Sequence, residues 1–407
     1  MVRLLSFVIS IATTLIATQS GWASPLSEAC TSTPTQRIIA IGDVHGNRAG
    51  LETMLLEAGL RDSSGNWIGD KSILIHTGDL IDRGTEDRAV LELLMDLEAR
   101  AQKSGGRVEI LLGNHEVMNL YGDLRYVAPE SYARFADEKS EKRRDKALGE
   151  YEKFLRTRAR FLDQPAPKID DALRRAWYDG HPAGYLEHRD SFSASGKLGK
   201  WLRKKDAIVR KGGFIFLHGG MDPALPPDIE KLNAIIRQEI KTYDQIRQFL
   251  RNRGLVLDFH DYPEALSLAE SYSEFLRAKT SLQPDEEDLL QITEALTAST
   301  SWLSVHPNGP LWFRGFARWT DEEAAPLLEQ LLDDFGACGF VVGHSPQLSG
   351  EIAVRFGGQV FLIDTGMLTS YYPGGIPSAL EISEKGSVAL YPNSTRVLVT
   401  ADFQNTP

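Results

Sequence analysis

Five short apolar runs in this chain of 407 residues each end in a polar cluster able to do chemistry. The clusters are Gly42-Asp43-Val44-His45-Gly46-Asn47, Gly78-Asp79-Leu80-Ile81-Asp82-Arg83-Gly84, Gly113-Asn114-His115-Glu116, His218-Gly219-Gly220 and Gly343-His344-Ser345. Carboxylate, imidazole and carboxamide groups of this kind are the donors of a hard-to-borderline divalent metal site. A single Asp or His after a strand is commonly a turn former. Five clusters in order, flanked by glycines that let backbone approach a ligand closely, point instead to one shared centre. Asp43 to Asp79 spans 36 positions and Asp79 to Asn114 spans 35, each suited to one strand–helix–strand excursion.

The elements that must position these groups are legible in the spacing. Arg37–Ile41, Ser72–Ile75, Val108–Leu112, Phe214–Leu217 and Phe340–Val342 are rich in Ile, Val, Leu and Phe and predict buried strands. Val90, Leu93, Leu94 and Leu97 fall on one face of a predicted helix that ends near Gly105 and Gly106. Alternating strands and helices imply a layered α/β domain. In such sheets, groups just beyond the carboxyl ends of the strands collect in one crevice, so the five clusters are expected to meet.

Two stretches break the rhythm, at about residues 124–210 and 224–300, both largely helical. They read as inserts within a single domain over residues 24–407, able to sit over the sheet edge and shape a substrate pocket. The mixed charge run Glu138–Lys146 reads as a solvated helix face. Beyond Gly350, Ala353–Phe356, Val360–Ile363 and Ala379–Ile382 alternate between Gly-rich turns and predict hairpins that complete a second sheet.

Composition bounds the class of partner. A net charge of −11 repels nucleic-acid backbones and anionic membranes, though a local basic pocket can still hold one phosphate. Arg3, the uncharged apolar stretch Leu4 to Ala17, and small residues Gly21 and Ala23 before Ser24 read as a removable export signal over residues 1–23. The mature chain is then expected in the periplasm, without stable membrane association. Export would permit a disulfide between the only cysteines, Cys30 and Cys338, and two unpaired thiols are the alternative.

The set GDVHGN, GDLIDRG, GNHE, HGG and GH resembles the calcineurin-like metallophosphoesterases. GDxxDRG followed by GNHE is similar to their phosphoprotein phosphatase branch. Gly184-Tyr185-Leu186-Glu187-His188-Arg189, Pro310-Leu311-Trp312-Phe313-Arg314 and Asp364-Thr365-Gly366-Met367 resemble the bacterial Shewanella-like protein phosphatases. The resemblance covers roughly Gln36 to Ile382 and implies an α/β-β/α sandwich of two mixed sheets. Many relatives carry GHxH at the last motif. Here Pro346 follows Gly343-His344-Ser345, which fits the phosphoprotein phosphatase branch and counts against nuclease or purple-acid-phosphatase readings.

By that resemblance, Asp43, His45 and Asp79 hold one metal, while Asp79, Asn114, His218 and His344 hold a second. The bridging Asp79 offsets repulsion between two divalent ions (Mn, Fe or Zn), and a hydroxide held between them attacks phosphorus. The resemblance makes His115 the proton donor to the leaving oxygen, oriented by Asp82, unless Asp82 simply pairs with Arg83. Arg83 is a natural phosphate clamp because a guanidinium grips two oxygens at once. Arg314, among Trp312, Phe313 and Trp319, is a second clamp or a stacked surface arginine, and Arg189 is a third candidate. His76, inside a strand, reads as a core histidine. Tyr371 and Tyr372 either line the pocket or pack.

The expected activity is two-metal hydrolysis of phosphate monoesters on a phosphorylated protein or peptide, phosphotyrosine or phosphoserine/threonine. A hydrolase of dinucleoside polyphosphates or other small phosphate esters is the alternative on the same centre. An inactive binding module is more remote, because every expected ligand is present.

Overall fold

The structure, a computed structural model, describes residues 36–400. The expected export signal and Cys30, and with it the pairing to Cys338, lie outside the described residues.

β1 (Ile38–Ile41), β2 (Ile73–His76) and β3 (Arg107–Ile110) lie parallel, with α1 (Arg48–Glu57) and α2 (Asp87–Lys103) returning the chain between them. β1 shows why a continuous apolar run is needed. Ile38 and Ala40 belong to the core between the two sheets, while Ile39 and Ile41 pack with Leu51, Met54, Val90 and Leu94 of the helices. A strand covered on both faces must be apolar at every position. Asn47 starts α1 by accepting the Gly50 N–H, which satisfies one of the unpaired donors at a helix start.

Next come α3 (Asn114–Tyr121), α4 (Pro129–Ala133), α5 (Ser140–Phe161), α6 (Asp171–Gly180), α7 (Tyr185–Phe192) and α8 (Lys197–Leu202), then β4 (Ile208–Lys211) and β5 (Phe214–Leu217). After them, α9 (Ile229–Asn252), α10 (Tyr262–Arg277), α11 (Pro284–Ala298), α12 (Gly315–Arg318) and α13 (Asp321–Phe335) precede β6 (Gly339–Val342). Residues of both helical stretches share a satellite core of Tyr132, Leu148, Trp177, Tyr185 and Phe259, so the two stretches brace each other. No helix among the described residues is long and apolar enough to cross a membrane.

The chain closes with β7 (Ala353–Arg355), β8 (Val360–Leu362), β9 (Ala379–Ser383), β10 (Gly386–Tyr391) and β11 (Thr395–Thr400). The first sheet has the order β11-β10-β9-β1-β2-β3 and the second β4-β5-β6-β8-β7. Both are mixed, as the α/β-β/α sandwich requires. One expectation needs correction. Only β7 and β8 extend the second sheet; the strand expected at Ala379–Ile382 pairs antiparallel with β1 and extends the first. Alternation in a sequence tells which face is buried, not which distant edge will accept the strand.

Ile38, Ile73 and Ile75 of one sheet meet Phe214, Phe216, Val341 and Phe361 of the other in a closed apolar layer. The parallel strands β1, β2 and β3 and the parallel strands β5, β6 and β8 therefore end along a common rim.

Candidate metal centre

The turns that follow these strands are folded against their own preference. His45, Asp79, Asp82, Arg83 and His344 all have left-handed backbone, with φ of 47°, 56°, 69°, 66° and 66°. Each such residue costs about 1–3 kcal/mol and persists only where its surroundings over-determine it. Glycines make the close packing possible. A Cβ at Gly84 would lie 2.1 Å from the His45 carbonyl oxygen, and one at Gly343 would lie 2.4 Å from Asp43 Oδ1.

These turns bring the expected ligands together. His218 Nε2 lies 3.0 Å from Asn114 Oδ1, 3.1 Å from His344 Nδ1 and 3.1 Å from Asp79 Oδ2. Beside this set, His45 Nε2 lies 3.6 Å from Asp43 Oδ2 and 3.8 Å from Asp79 Oδ2. Asp79 belongs to both groups. All six side chains are buried.

The donor set fits divalent ions. Each imidazole is held by its outer nitrogen: His45 Nδ1 on Ile81 O at 3.0 Å, His218 Nδ1 on Thr77 O at 2.9 Å and His344 Nε2 on Trp312 O at 3.2 Å. An N–H donated outward leaves the other nitrogen's lone pair facing the cluster, the usual arrangement behind a metal-ligating histidine. Donors about 2.0–2.2 Å from one ion stand about 3 Å from each other, which matches the spacing around His218. His45 and His344 are held in the neutral form, chiefly by burial. Burial also opposes charge on His218, but Asp79 and Asp43 outweigh it and hold its pKa near 9, so an ion must displace that proton. Burial raises Asp43, yet His218 and the bond to His45 bring it down to about 2.

His115 stands apart in the partner of its outer nitrogen, a carboxylate where the others have a backbone carbonyl. Its Nε2 is 3.8 Å from Asp79 Oδ2, close enough to count geometrically with His45 and Asp79 as a possible ligand. Its Nδ1, however, is 2.7 Å from Asp82 Oδ2. Burial works against its charge, but Asp79 and then Asp82 overcome that and raise its pKa. Among the described residues the buried His115 Nε2 has no hydrogen-bond partner, so it is open to an incoming group.

The arginines divide. Arg83 reaches the same pocket: Nη1 contacts His45 Nε2 and donates to Tyr372 Oη at 2.8 Å. Its guanidinium lies 5.2 Å from the Tyr371 ring, 5.6 Å from Tyr126 and 5.7 Å from Tyr372. Asp82 pairs with His115 and not with Arg83. Arg314 Nη1 donates to His344 O at 2.5 Å and to Ser345 Oγ at 3.1 Å, which puts it at the rim. Arg189 is not brought to the cluster. Its guanidinium lies on Gly122, where an added Cβ would meet Nη1 at 2.3 Å. Gly122 caps the far end of α3, about 12 Å from Asn114 at 1.5 Å per residue.

The comparisons with known proteins agree with this geometry. The sequence profile of the calcineurin-like phosphoesterases matches residues 36–348. The chain belongs to that family. This calcineurin-like phosphoesterase is 26% identical over 357 residues to Shewanella-like protein phosphatase 1 of Plasmodium berghei, covering 86% of this chain and 72% of that one. It is 30% identical over 213 residues to Shewanella-like protein phosphatase 2 of Arabidopsis thaliana, covering 50% and 51% of the two chains. Its fold matches the crystal structure of a cold-active protein-tyrosine phosphatase of a psychrophilic Shewanella species. That match has a TM-score of 0.54 and 24% identity over 90% of this chain and 80% of the other.

Sequence reasoning left several groups of this phosphoesterase unassigned. Glu116 accepts the backbone N–H groups of Asp79, Leu80 and Gly113, each at 2.8 Å, and so fixes the turn that carries Asp79. Tyr126 lies 5.1 Å from the His115 ring, at the mouth of the pocket. Asp364 is buried beside Asp43, and burial followed by the Asp43 charge pushes its carboxyl well up. His76 is a core histidine as expected, fully buried, with burial holding its pKa near 3. Nothing local in the sequence marks Tyr126, because its proximity to His115 arises from the chain beyond α3 folding back.

Proposed function

We propose that the chain is a metal-dependent protein phosphatase that hydrolyses phosphate monoesters on protein or peptide side chains. One observation carries the reading: His115, held by Asp82 and with a buried Nε2 that has no hydrogen-bond partner among the described residues, stands beside a cluster of donors suited to two divalent ions. The names of the Plasmodium, Arabidopsis and Shewanella relatives support protein substrates, phosphotyrosine among them.

In this reading, Asp43, His45 and Asp79 would hold one ion, and Asp79, Asn114, His218 and His344 the other. Ions of the Mn, Fe or Zn type, when bound, would supply a nucleophile near neutral pH and stabilise charge on the phosphoryl oxygens. Arg83 orients those oxygens with its planar fork, and Arg314 approaches from the His344 side. His115 gives its Nε2 proton to the leaving oxygen. Asp82 accepts from Nδ1 and fixes the ring. The export signal read in residues 1–23 supports a periplasmic location for this activity, which fractionation of cells would test.

Rates on a phosphotyrosine peptide, a phosphoserine peptide and diadenosine tetraphosphate, measured side by side, test the substrate class. We expect a phosphopeptide to be turned over fastest. Much faster turnover of the dinucleotide would overturn the protein-phosphatase reading. His115→Asn tests the role of the acid: metal content is expected to stay, with turnover lower by about 10²–10⁴-fold. Loss of metal together with rate would show His115 to be a ligand instead.

A further inference from the structure

Behind the Asp82–His115 pair lies a second buried carboxyl. Asp87, the first residue of α2, is 1% exposed. Its Oδ1 accepts the backbone N–H of Asp82 at 3.1 Å, and its Oδ2 accepts the hydroxyl of Ser131 at 2.8 Å. A Cβ on Gly46 would come within 2.6 Å of the same Oδ1, so the carboxyl is wedged between the turn after β1 and the turn after β2.

An acidic residue in the first turn of a helix ordinarily answers the helix dipole from the surface. Asp87 does something else. It is buried, and the partners of its oxygens lie outside α2, on the Asp82–Arg83 turn and on α4. That turn needs holding, because Asp82 and Arg83 are consecutive residues in left-handed backbone. The turn is gripped from a second side by Tyr126 O, which accepts the Arg83 N–H at 2.8 Å. The orientation of Asp82 decides whether its Oδ2 meets His115, while its Oδ1 is occupied by Asn119 Nδ2 at 2.9 Å.

We propose that Asp87 is a positioning residue for proton donation: with Ser131, it holds the Asp82–Arg83 turn so that Asp82 aims His115 at the leaving oxygen. The proposal rests on the acid role given to His115 above. It also links the helical stretch after β3 to the chemistry, through Ser131 on α4. Burial, followed by the nearby charge of Asp82, pushes the Asp87 carboxyl up to about 8, so it is largely neutral at neutral pH. An amide of the same shape can therefore replace it: the oxygen of Asn still accepts from Asp82, and its NH₂ donates to Ser131 Oγ.

The test uses leaving groups. Phenyl phosphate releases a phenol of pKa about 10, like tyrosine, and needs an acid. 2,4-Dinitrophenyl phosphate releases a stable phenolate and hardly needs one. In the full-length metal-loaded protein we expect Asp87→Ala to lower kcat on phenyl phosphate by about 10–100-fold, the scale seen when an orienting partner is lost. Loss on the dinitrophenyl ester should stay under about 3-fold, with metal content unchanged, and Asp87→Asn should restore both rates to within about 3-fold. His115→Asn, run in parallel, should show the same asymmetry more strongly.

Equal loss on both esters, or no loss, in Asp87→Ala overturns the proposal if His115→Asn keeps its asymmetry. If His115→Asn shows no asymmetry, the acid role falls, and the proposal with it. Should Asp87→Ala fail to fold, Ser131→Ala makes the same comparison. A loss of about 3-fold confined to phenyl phosphate supports the proposal, and an even loss or none overturns it.

Discussion

Asp82 Oδ2 sits 2.7 Å from His115 Nδ1, with both side chains fully buried. In so dry a place the carboxylate does two jobs at once: it fixes the ring and, with Asp79, favours the imidazolium. We expect Asp82→Asn to lower the pKa of His115 and so to move the alkaline limb of the kcat profile to lower pH. The optimum rate should fall by about 10–100-fold. A pH–rate series on phenyl phosphate checks both parts. An unshifted limb would show that Asp82 does not tune His115.

Asp79 is the carboxylate on which the cluster converges, with Oδ2 within 3.1 Å of His218 and 3.8 Å of His45 and His115. Replacing it with Asn removes the charge that would be shared by two cations. Elemental analysis of Asp79→Asn should find fewer than two ions per chain, and activity should fall by about 100-fold or more. Full occupancy with normal turnover would refute the bridging role.

Arg83 offers a planar fork within contact of His45 and is steadied by Tyr372. Arg83→Ala should raise KM for a phosphopeptide or lower kcat, by about 10–100-fold in kcat/KM. Arg83→Lys should recover only part, because a point charge cannot grip two oxygens at once. Recovery in full by Lys would mean that charge alone matters there.

Asp87 also makes a stability prediction. Its pKa is about 8 in the fold against 3.8 for the free carboxyl, so between those values the folded chain holds a proton that the unfolded chain has released. Stability from this group is therefore fully present below about pH 4 and is lost as pH rises through about 8. Asp87→Asn removes that titration. Urea unfolding of the metal-free protein should show the variant gaining on the parent between about pH 5 and pH 8. A constant difference across that range would contradict the proposed protonation.

Much of this was readable in advance because it is local. The five apolar strands recur at β1, β2, β3, β5 and β6 to within one or two residues; all but the edge strand β3 are buried on both faces, where a strand has little choice but apolar residues. The α2 face was legible for the same reason, with Val90, Leu94 and Leu97 buried as their spacing required. β4, β10 and β11 were not read. β11 stands at the sheet edge with four of its six residues exposed, so burial imposes little on its composition.

Residue types and order by themselves determined the chemistry on offer: carboxylates, imidazoles and an amide placed after strands, in a family whose profile spans residues 36–348. Only the tertiary structure decided which of them touch. The His344 N–H meets Asp43 Oδ1 at 3.0 Å across 301 positions of chain, and Arg189 ends at the wrong end of α3 to grip a phosphate beside the cluster. Local pattern records which side chains must leave water. Which distant groups then become neighbours is set by how two sheets and two helical stretches close on one another, a constraint shared by hundreds of residues and carried by none of them alone.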